Sequence, residues 1–474
     1  MDKDLIIEMQ RHQIVELLSI NAHLSLGIEG LTARVLELES NQKKNSGNSS
    51  KPPSTDIGKV KKTQSLRSQS GKSRGGQPGH QGDTLKFSGT PDIIEVHDVT
   101  SCSSCGKDLT VVDRDNYQCR QVFDIPPIRI QVTEHRIASK VCPACHLLNT
   151  ASFPSEVTQP VQYGKGIQKL AVYLSNYQLL PYRRTAELFE DLLRHRINEG
   201  SLVAMNQRCS ANLNGFIEEL KGRLGEQPVL HADETGYYYG SKRNWLHVLT
   251  TEQHTLYMPH AKRGTEAMDE MGVLPDYKGR LIHDFWKPYN EYSCAHGLCN
   301  VHHLRDLTFC ADVEKSDWAA QMKQFLLDLH QQVHQAKQAN AKALTTKQLC
   351  YWQNQYEYLL KVGQQAHPPP EKQPGKRGAT KKTKTQNMLQ RFEQYKESIL
   401  AFVHDFNVPF GNNLAEQAIR MMKVKQKISG CFRSEQGAID FATIRSYIAT
   451  IKKQGINVID ALELTVLGNP ICLA

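Results

Sequence analysis

Three acidic residues stand in local sequences that predict a shared metal site. Asp233 lies in PVLHADETGYYY, Asp284 in GRLIHDFWKPY and Glu416 in GNNLAEQAIR. The first two lie beside short apolar runs typical of strands, whereas the third lies in a helical pattern. Two strand carboxylates and one helix carboxylate can converge, and such oxygen ligands suit Mg²⁺ or Mn²⁺. Two such ions about 4 Å apart stabilise the attacking and leaving oxygens of an in-line phosphoryl displacement, so the pattern predicts phosphodiester chemistry.

Other interpretations of these acidic residues stay open on the pattern alone. Glu234 competes with Asp233 as the first ligand, although neighbouring side chains on a strand point to opposite faces, which favours Asp233. Asp233 could instead begin a turn as a cap. Glu416 and Arg420 lie four residues apart on the predicted helix, where a surface ion pair is worth ~0.3–0.5 kcal/mol.

The same segments carry a family resemblance. HADETG, HDFWKPY, CNVHHLRDL, NNLAEQAIR and KISGCFRSEQGA closely resemble the DDE transposases of the insertion-sequence-66 family. NSGNSSKPPSTD at 45–56 and GGQPGHQG at 75–82 also resemble that family, so the similarity spans essentially the whole chain. Four strand-like segments, PVLHADETGYYY, NWLHVLTT, HTLYMPH and RLIHDFW, follow an RNase-H-like order. In that fold Asp233 would lie at the end of the first strand and Asp284 at the end of a neighbouring one. The resemblance implies that Asp233, Asp284 and Glu416 are the catalytic metal ligands of this core, which would hold two Mg²⁺ or Mn²⁺ ions.

The resemblance also implies a reaction and its partners. Water cleaves the DNA at the element ends to free a 3′-hydroxyl, which then attacks target DNA in one transesterification. The expected partners are the terminal repeats and target DNA, a homodimer or higher synaptic oligomer, and accessory proteins of the same element. Two alternatives are a catalytically inactive, transposase-derived DNA-binding protein and an RNase-H-like nuclease that hydrolyses without joining strands.

Two CxxC pairs predict a structural zinc site. Cys102 and Cys105 are separated by 36 residues from Cys142 and Cys145. Four thiolates suit tetrahedral zinc, and the intervening RIQVTEHRIASKV is rich in β-branched residues, so we expect a zinc ribbon. The gap exceeds the usual ~15–20 residues, which implies an additional hairpin. A redox dithiol is the main alternative, and Cys119 could compete as a ligand.

A second group of cysteines and histidines follows the second aspartate: Cys294, Cys299, His302, His303 and Cys310. Their spacing matches no standard zinc finger. The family resemblance implies that Cys299, His302 and Arg305 lie on one helix that shapes the pocket or contacts DNA. Arg305 or His302 would then oppose phosphate charge.

Basic residues are concentrated in a few segments, although the net charge of +9 is moderate for 474 residues. Such local charge predicts an anionic partner. The basic loop at 367–386 is one candidate DNA contact, with an exposed linker as the alternative. The candidate DNA-binding residues, besides Arg305, follow the third acidic residue: Arg420, Lys423, Lys425, Lys427 and Arg433.

The N-terminus carries a heptad pattern. Residues at alternating spacings of three and four form its seam: Ile14, Leu17, Asn21, Leu24, Ile28, Leu31, Val35 and Leu38. This pattern predicts a coiled-coil dimerisation helix in which Asn21 fixes the register. Gly27 and Gly30 weaken a continuous helix by about 1 kcal/mol each, and a single amphipathic helix packed on the protein is the alternative.

The chain is too long for one ordinary domain of ~150 residues, and we expect a multidomain α+β protein. No run approaches the ~18 apolar residues of a membrane helix, so we expect a protein of the bacterial cytoplasm or nucleoid. The expected parts are a coiled-coil helix at 1–40, a basic flexible linker at 41–90, a zinc-ribbon-like domain at 91–160, a helical region that is a candidate for DNA binding at 161–226, the RNase-H-like catalytic core at 227–310, an α-helical insertion at 311–402, and the remaining core with the basic tail at 403–474.

Overall fold

A computed structural model describes residues 3–49, 84–370, 380 and 382–473. Most of the predicted basic linker, including GGQPGHQG, lies outside the described residues, as do 371–379 and 381 of the predicted basic loop. The described residues divide into two compact units. The larger unit holds the N-terminal helix with residues 137–187 and 196–473, and the smaller holds residues 84–136 and 188–195.

The first helix, α1, spans Lys3–Gln42 and runs unbroken through both glycines. A continuous helix agrees with the heptad prediction, and the apolar residues of the seam from Ile14 to Leu38 are all at least half exposed. Among the helices in the described part of the chain, only α1, over Ile7–Gln42, is long and apolar enough to match the thickness of a membrane. The match to a membrane helix rests on length and composition only. The regular heptad repeat accounts for the same apolar residues.

The region of the two CxxC pairs contains little regular structure. Strand β1 (Ser139–Val141) pairs antiparallel with β2 (Leu148–Thr150) around the second CxxC pair. The predicted strands over 129–141 are confirmed only at β1. Residues 129–136 are not strands because their β-branched side chains have no packing partner, as the 88% exposure of Val132 illustrates.

The region at 161–226, expected to be helical, contains several helices. It consists of α2 (Lys165–Val172), a π-helical turn (Tyr173–Tyr177), α3 (Tyr182–Leu193), α4 (Glu199–Ala211) and α5 (Asn214–Gly225). Asn198 caps α4 by accepting the Gly200 amide hydrogen. Apolar residues of α4 and α5 join one core cluster with residues of the following sheet, so this region packs on the sheet.

The central sheet has five strands in the order β5-β4-β3-β6-β7. Strands β3, β4 and β5 form antiparallel pairs, whereas β6 and β7 run parallel to β3. Four of the five strands were predicted, and β7 was not. The bounds are β3 Val229–Tyr239, β4 Lys242–Thr250, β5 Thr255–His260, β6 Arg280–His283 and β7 Ala295–Leu298, with helix α6 at Thr265–Glu270 and a 3₁₀ turn at Lys287–Glu291.

Six helices follow β7, and α8 to α12 occupy the segment where the insertion at 311–402 was expected. Thr345 and Gln348 form a reciprocal capping box at the start of α9, and Thr383 and Gln386 do the same for α10. Aromatic residues fill the core of the insertion, where Phe392 contacts Trp318. The helices are α7 (Asn300–Asp312), α8 (Asp317–Gln338), α9 (Thr346–Ala366), α10 (Lys384–Gln394), α11 (Lys396–Ile399) and α12 (Ala401–His404).

Three C-terminal helices complete the larger unit: α13 (Asn413–Ser429), α14 (Glu435–Lys453) and α15 (Val458–Val466). Helix α14 covers edge strand β5, because Ser446 Oγ accepts the Tyr257 amide hydrogen at 2.8 Å and Thr450 Oγ1 accepts that of Thr255 at 3.0 Å. Strand amides that would be free at the sheet edge are therefore satisfied by side chains. Helix α13 packs its buried face against β3 and β4.

Candidate active site

The first two predicted acidic residues lie side by side on neighbouring strands. In the parallel pair β3–β6, His231 stands opposite Ile282. Continuing this register by two residues places Asp233 beside Asp284, which directly follows the end of β6. Because side chains of parallel strands alternate together, the two carboxylates emerge on the same face of the sheet. The prediction placed Asp233 at the end of its strand. It lies within β3 instead, although beyond the last residue of β3 that pairs with β6.

The third acidic residue is held near the first by Asn412. Glu416 lies in the first turn of α13, and its amide donates to the Asn412 carbonyl at 3.1 Å. The Asn412 side-chain amide donates to the Ala232 carbonyl at 2.7 Å, next to Asp233. Asn412 Oδ1 accepts a hydrogen bond from His231 Nδ1 at 2.8 Å. One buried asparagine therefore fixes the start of the Glu416 helix to the strand that carries Asp233.

The three carboxylates form one electrostatic cluster. Burial raises the pKa of Asp233 well above its ordinary value, and the charges of Glu234, Asp284 and Glu416 raise it further. Burial also raises the pKa of Asp284 to about 6, with Glu234 and Glu416 contributing and Arg263 opposing. Such crowding of negative charge destabilises the ionised cluster unless a cation is bound.

The cluster fits a hard divalent cation. Asp284 Oδ1 and Glu416 Oε1 are both buried, and neither finds a hydrogen-bond partner among the described residues. Buried polar atoms without partners are rare, and in a carboxylate cluster such oxygens suit a bound cation. The donors from Asp233, Asp284 and Glu416 are all oxygens, which is the donor set that Mg²⁺ and Mn²⁺ prefer.

Glu234 is paired inside the protein, although its charge also acts on Asp233 and Asp284. Its side chain is only 1% exposed, and Oε1 accepts hydrogen bonds from Arg263 Nε at 2.9 Å and Nη2 at 2.6 Å. Tyr289 donates its hydroxyl hydrogen to Oε2 at 2.6 Å. Both oxygens are thus satisfied within the protein, whereas Asp233, on the opposite face of the strand, is left for the acidic cluster.

Cys299 and His302 lie beside Glu416. Cys299 directly precedes α7, His302 lies in its first turn, and the donor atoms of these two side chains and Glu416 all lie within 4.8 Å of one another. His302 Nδ1 is 3.9 Å from Glu416 Oε1. Burial lowers the pKa of His302 to about 4, helped by the charge of Arg305, so the imidazole is neutral at pH 7 and the contact is not an ion pair. Arg305 itself is half-buried on the same helix.

The predicted DNA-binding cations of α13 and the following turn differ in their surroundings. Lys425 has partners inside the protein, since its ammonium lies 4.9 Å from the ring centroid of Phe432 and 4.7 Å from that of Phe441. Burial lowers its pKa to about 8. Lys423 is exposed but donates to the Gly236 carbonyl at 2.9 Å. The remaining cations are exposed and form no ion pair within the described part of the chain: Arg420, Lys427 and Arg433.

Each of the two CxxC pairs lies in a turn with the same hydrogen bonds. The amide of Cys102 donates to the Lys107 carbonyl and that of Cys142 to the Leu147 carbonyl, each at 2.9 Å. In both turns the amide after the second cysteine donates back to the carbonyl of the first. The pKa of the Cys102 thiol is lowered, first by the amide of Cys105, and the pKa of Cys142 is lowered in the same way. Two matching turns that favour thiolates fit zinc ligands.

Two features of the site were missed from the sequence. Asn412 precedes a helix and reads as an N-cap, but its side chain makes no cap hydrogen bond and instead contacts β3. Arg263, the partner of Glu234, also stacks on Trp245 and Trp286 at 4.8 and 4.1 Å. The doubled asparagine in GNNLAEQ was the available signal for Asn412, whereas no local pattern pointed to Arg263.

Three family models match parts of the chain. The model of the transposase IS66 family matches residues 160–440, more than half of the chain. The zinc-finger binding domain of transposase IS66 matches residues 100–146, which include both CxxC pairs and support structural zinc. A family of unknown function (DUF6444) matches residues 3–86. No curated protein matches the chain. The acidic residues of the sheet and of α13 all lie within the longest match, and the chain belongs to the IS66 family of transposases.

Proposed function

We propose that this transposase is a DDE enzyme that cleaves DNA at the ends of its element and joins the freed ends to target DNA. The observation that carries the proposal is the carboxylate cluster of Asp233, Asp284 and Glu416, in which the buried Asp284 Oδ1 lacks a partner among the described residues. The sheet order, with three antiparallel strands followed by two parallel ones, supports an RNase-H-like core.

Each acidic side chain would have its own role in the reaction. Asp233 and Asp284 would hold Mg²⁺ or Mn²⁺, and Glu416 would complete the site and orient the nucleophile. When bound, two ions would stabilise charge on the attacking and leaving oxygens. Asn412 would keep Glu416 in place against β3. In the first step water attacks the phosphorus and the 3′-oxygen leaves as a hydroxyl, and in the second that hydroxyl attacks a target phosphodiester and displaces another 3′-oxygen.

Cations near the acidic cluster would bind the DNA backbone. Arg420, Lys427 and Arg433 are exposed and follow Glu416 in the chain, and Arg305 lies one turn beyond His302. Contacts of this kind weaken steeply as salt rises. Lys425 is the least suited because its ammonium packs on two aromatic rings.

Self-association would bring two element ends together. The exposed heptad seam of α1 supports a parallel pairing with a second copy, giving a homodimer or a higher synaptic oligomer. Cross-linking should yield dimers that disappear when residues 1–40 are deleted.

The four thiolates of the CxxC pairs would bind one structural zinc: Cys102, Cys105, Cys142 and Cys145. We also propose that accessory proteins of the same element act as partners and that the protein works in the cytoplasm.

Strand transfer by the purified full-length protein tests the function. The substrate is a pre-cleaved duplex carrying the DNA end that flanks the gene, with Mg²⁺ or Mn²⁺ supplied and Asp233→Asn run in parallel. Joined product from the wild type alone is the expected result. Hydrolysis of an RNA-containing duplex without joining would indicate a nuclease, and tight end binding without any turnover would indicate an inactive DNA-binding protein.

A further inference from the structure

A cluster of sulfur, nitrogen and oxygen donors adjoins the acidic site. Cys299 is 1% exposed, and its thiol, the His302 imidazole and the Glu416 carboxylate lie within 4.8 Å of one another. His302 Nδ1 and Glu416 Oε1 are buried, and neither finds a hydrogen-bond partner in the described part of the chain. Two unpartnered polar atoms therefore face each other across 3.9 Å, beside a thiol.

The turn at Cys299 resembles the two CxxC turns in its hydrogen bonding. In each CxxC turn, the backbone amides two and three residues after the first cysteine favour its thiolate: Ser104 and Cys105 for Cys102, and Ala144 and Cys145 for Cys142. Val301 and His302, again two and three residues on, act on Cys299 in the same way. The Asn412 amide adds a third N–H group 3.2 Å from Sγ. Amides directed at sulfur in this pattern support a metal-bound thiolate.

We infer that Cys299, His302 and Glu416 bind a transition-metal dication such as Zn²⁺, at a site separate from the CxxC zinc. Ligands about 2.0–2.3 Å from a tetrahedral ion lie roughly 3.3–3.7 Å from one another, so small side-chain movements close the site. One thiolate and one carboxylate balance the two positive charges, and three protein ligands leave a fourth position open.

The donor chemistry fits this assignment. Metal binding converts the Cys299 thiol to a thiolate, and the displaced proton is released to solvent. The mixed donor set differs from the all-oxygen cluster and selects a softer ion than Mg²⁺.

The site has a consequence for Glu416. A carboxylate has two oxygens, so Glu416 can bind this ion through Oε1 and still offer its other oxygen to a neighbouring ion. The ion would then fix Glu416 to α7, while Asn412 fixes the start of its helix to β3. Metal content does not depend on DNA cleavage, and so this inference and the proposed function can fail separately.

Zinc content of the full-length protein tests the inference. The protein is purified with Zn²⁺, passed through a desalting column and measured by elemental analysis per folded chain. Cys299→Ser and His302→Gln should each lose one zinc ion per chain relative to the wild type. Cys310→Ser is the matched control, because Cys310 is a buried thiol on the same helix outside the cluster. Circular dichroism checks that each variant is folded.

Cobalt distinguishes this site from the CxxC zinc. In a protein whose four CxxC cysteines are replaced by serine, Co²⁺ should still give a sulfur-to-cobalt charge-transfer band, and His302→Gln should abolish it. His302 is partly exposed, so this variant keeps the test valid if Cys299→Ser fails to fold. Equal zinc content in wild type and His302→Gln, or a cobalt band that persists without His302, would overturn the inference.

Discussion

Asp233 and Asp284 stand opposite each other two residues beyond the last registered pair of β3 and β6, on the same face of the sheet. The parallel register alone places them there, and no contact between their side chains is required. The charges of Glu234, Asp284 and Glu416 raise the pKa of Asp233, and those of Glu234 and Glu416 raise the pKa of Asp284. The ionised cluster is therefore unfavourable in the absence of a cation. Under the proposed function, a bound cation offsets this cost.

Replacing Asn412 should impair catalysis through Glu416. Asn412→Ala removes the hydrogen bonds to His231 and to the Ala232 carbonyl, and we expect strand transfer to fall about 10- to 100-fold, as for other residues that position ligands. The loss of buried hydrogen bonds should also cost about 1–3 kcal/mol in the free energy of unfolding. Asn413→Ala, at the exposed neighbouring position, is the control. Equal activity of the two variants would argue against a positioning role.

Removing one charge from the cluster should stabilise the metal-free protein. The folded pKa of Asp284 is about 6, above its ordinary 3.8, so forming the folded state becomes harder as pH rises through 6 and the carboxylate ionises. Asp284→Asn removes this penalty of up to roughly 3 kcal/mol. Thermal unfolding in EDTA should show a higher Tm for the variant at about pH 8, with the difference shrinking toward about pH 4.

Magnesium supplies the converse measurement. Added Mg²⁺ should raise the Tm of the wild type at about pH 8, because binding to the folded state stabilises it, and should have little effect on Asp284→Asn. A Tm for the metal-free wild type equal to that of Asp284→Asn at every pH would contradict the charge crowding described above.

Glu234 should matter for stability rather than for metal binding. Glu234→Gln leaves Arg263 without its ionic partner and weakens the contact with Tyr289, and we expect a loss of about 1–3 kcal/mol in the free energy of unfolding. Magnesium-induced stabilisation should remain. Calorimetry with and without Mg²⁺ separates the two effects, and loss of the magnesium response would make Glu234 a ligand.

Two lysines on α13 should behave differently toward DNA. Lys427→Met removes an exposed charge and should weaken binding to the element end. The slope of log K against the logarithm of the salt concentration should become shallower by about one. Lys425→Met should leave both unchanged, because that ammonium lies over Phe432 and Phe441. Fluorescence anisotropy over a salt series measures both quantities. A larger binding defect for the Lys425 variant would reverse this assignment.

Much of the catalytic unit could be predicted because its signals are local. Strands β3 to β6 have apolar runs with β-branched or aromatic residues, and the helices of the insertion have clear periodicity and capping boxes. Asp233 and Asp284 follow from strand assignment and the family resemblance. Helix α1 follows from its heptads, although pairing of two copies remains a prediction.

The features that escaped prediction depend on tertiary contacts. Strand β7 is only four residues long and contains Gly297, where a Cβ atom would come within 2.5 Å of Ile282, so close packing of the two strands selected that residue. The predicted strands before β1 failed because their side chains remain exposed. Asn412 joins residues that lie far apart in sequence, and the doubled asparagine that marks its position does not identify those partners.

The most direct test compares four variants in one strand-transfer experiment. Asp233→Asn, Asp284→Asn and Glu416→Gln should bind the element end but give no joined product, whereas Glu234→Gln, adjusted for its folded fraction, should retain joining. Full joining by any of the first three variants, or a loss of joining confined to Glu234→Gln, would contradict the assignment of the catalytic carboxylates.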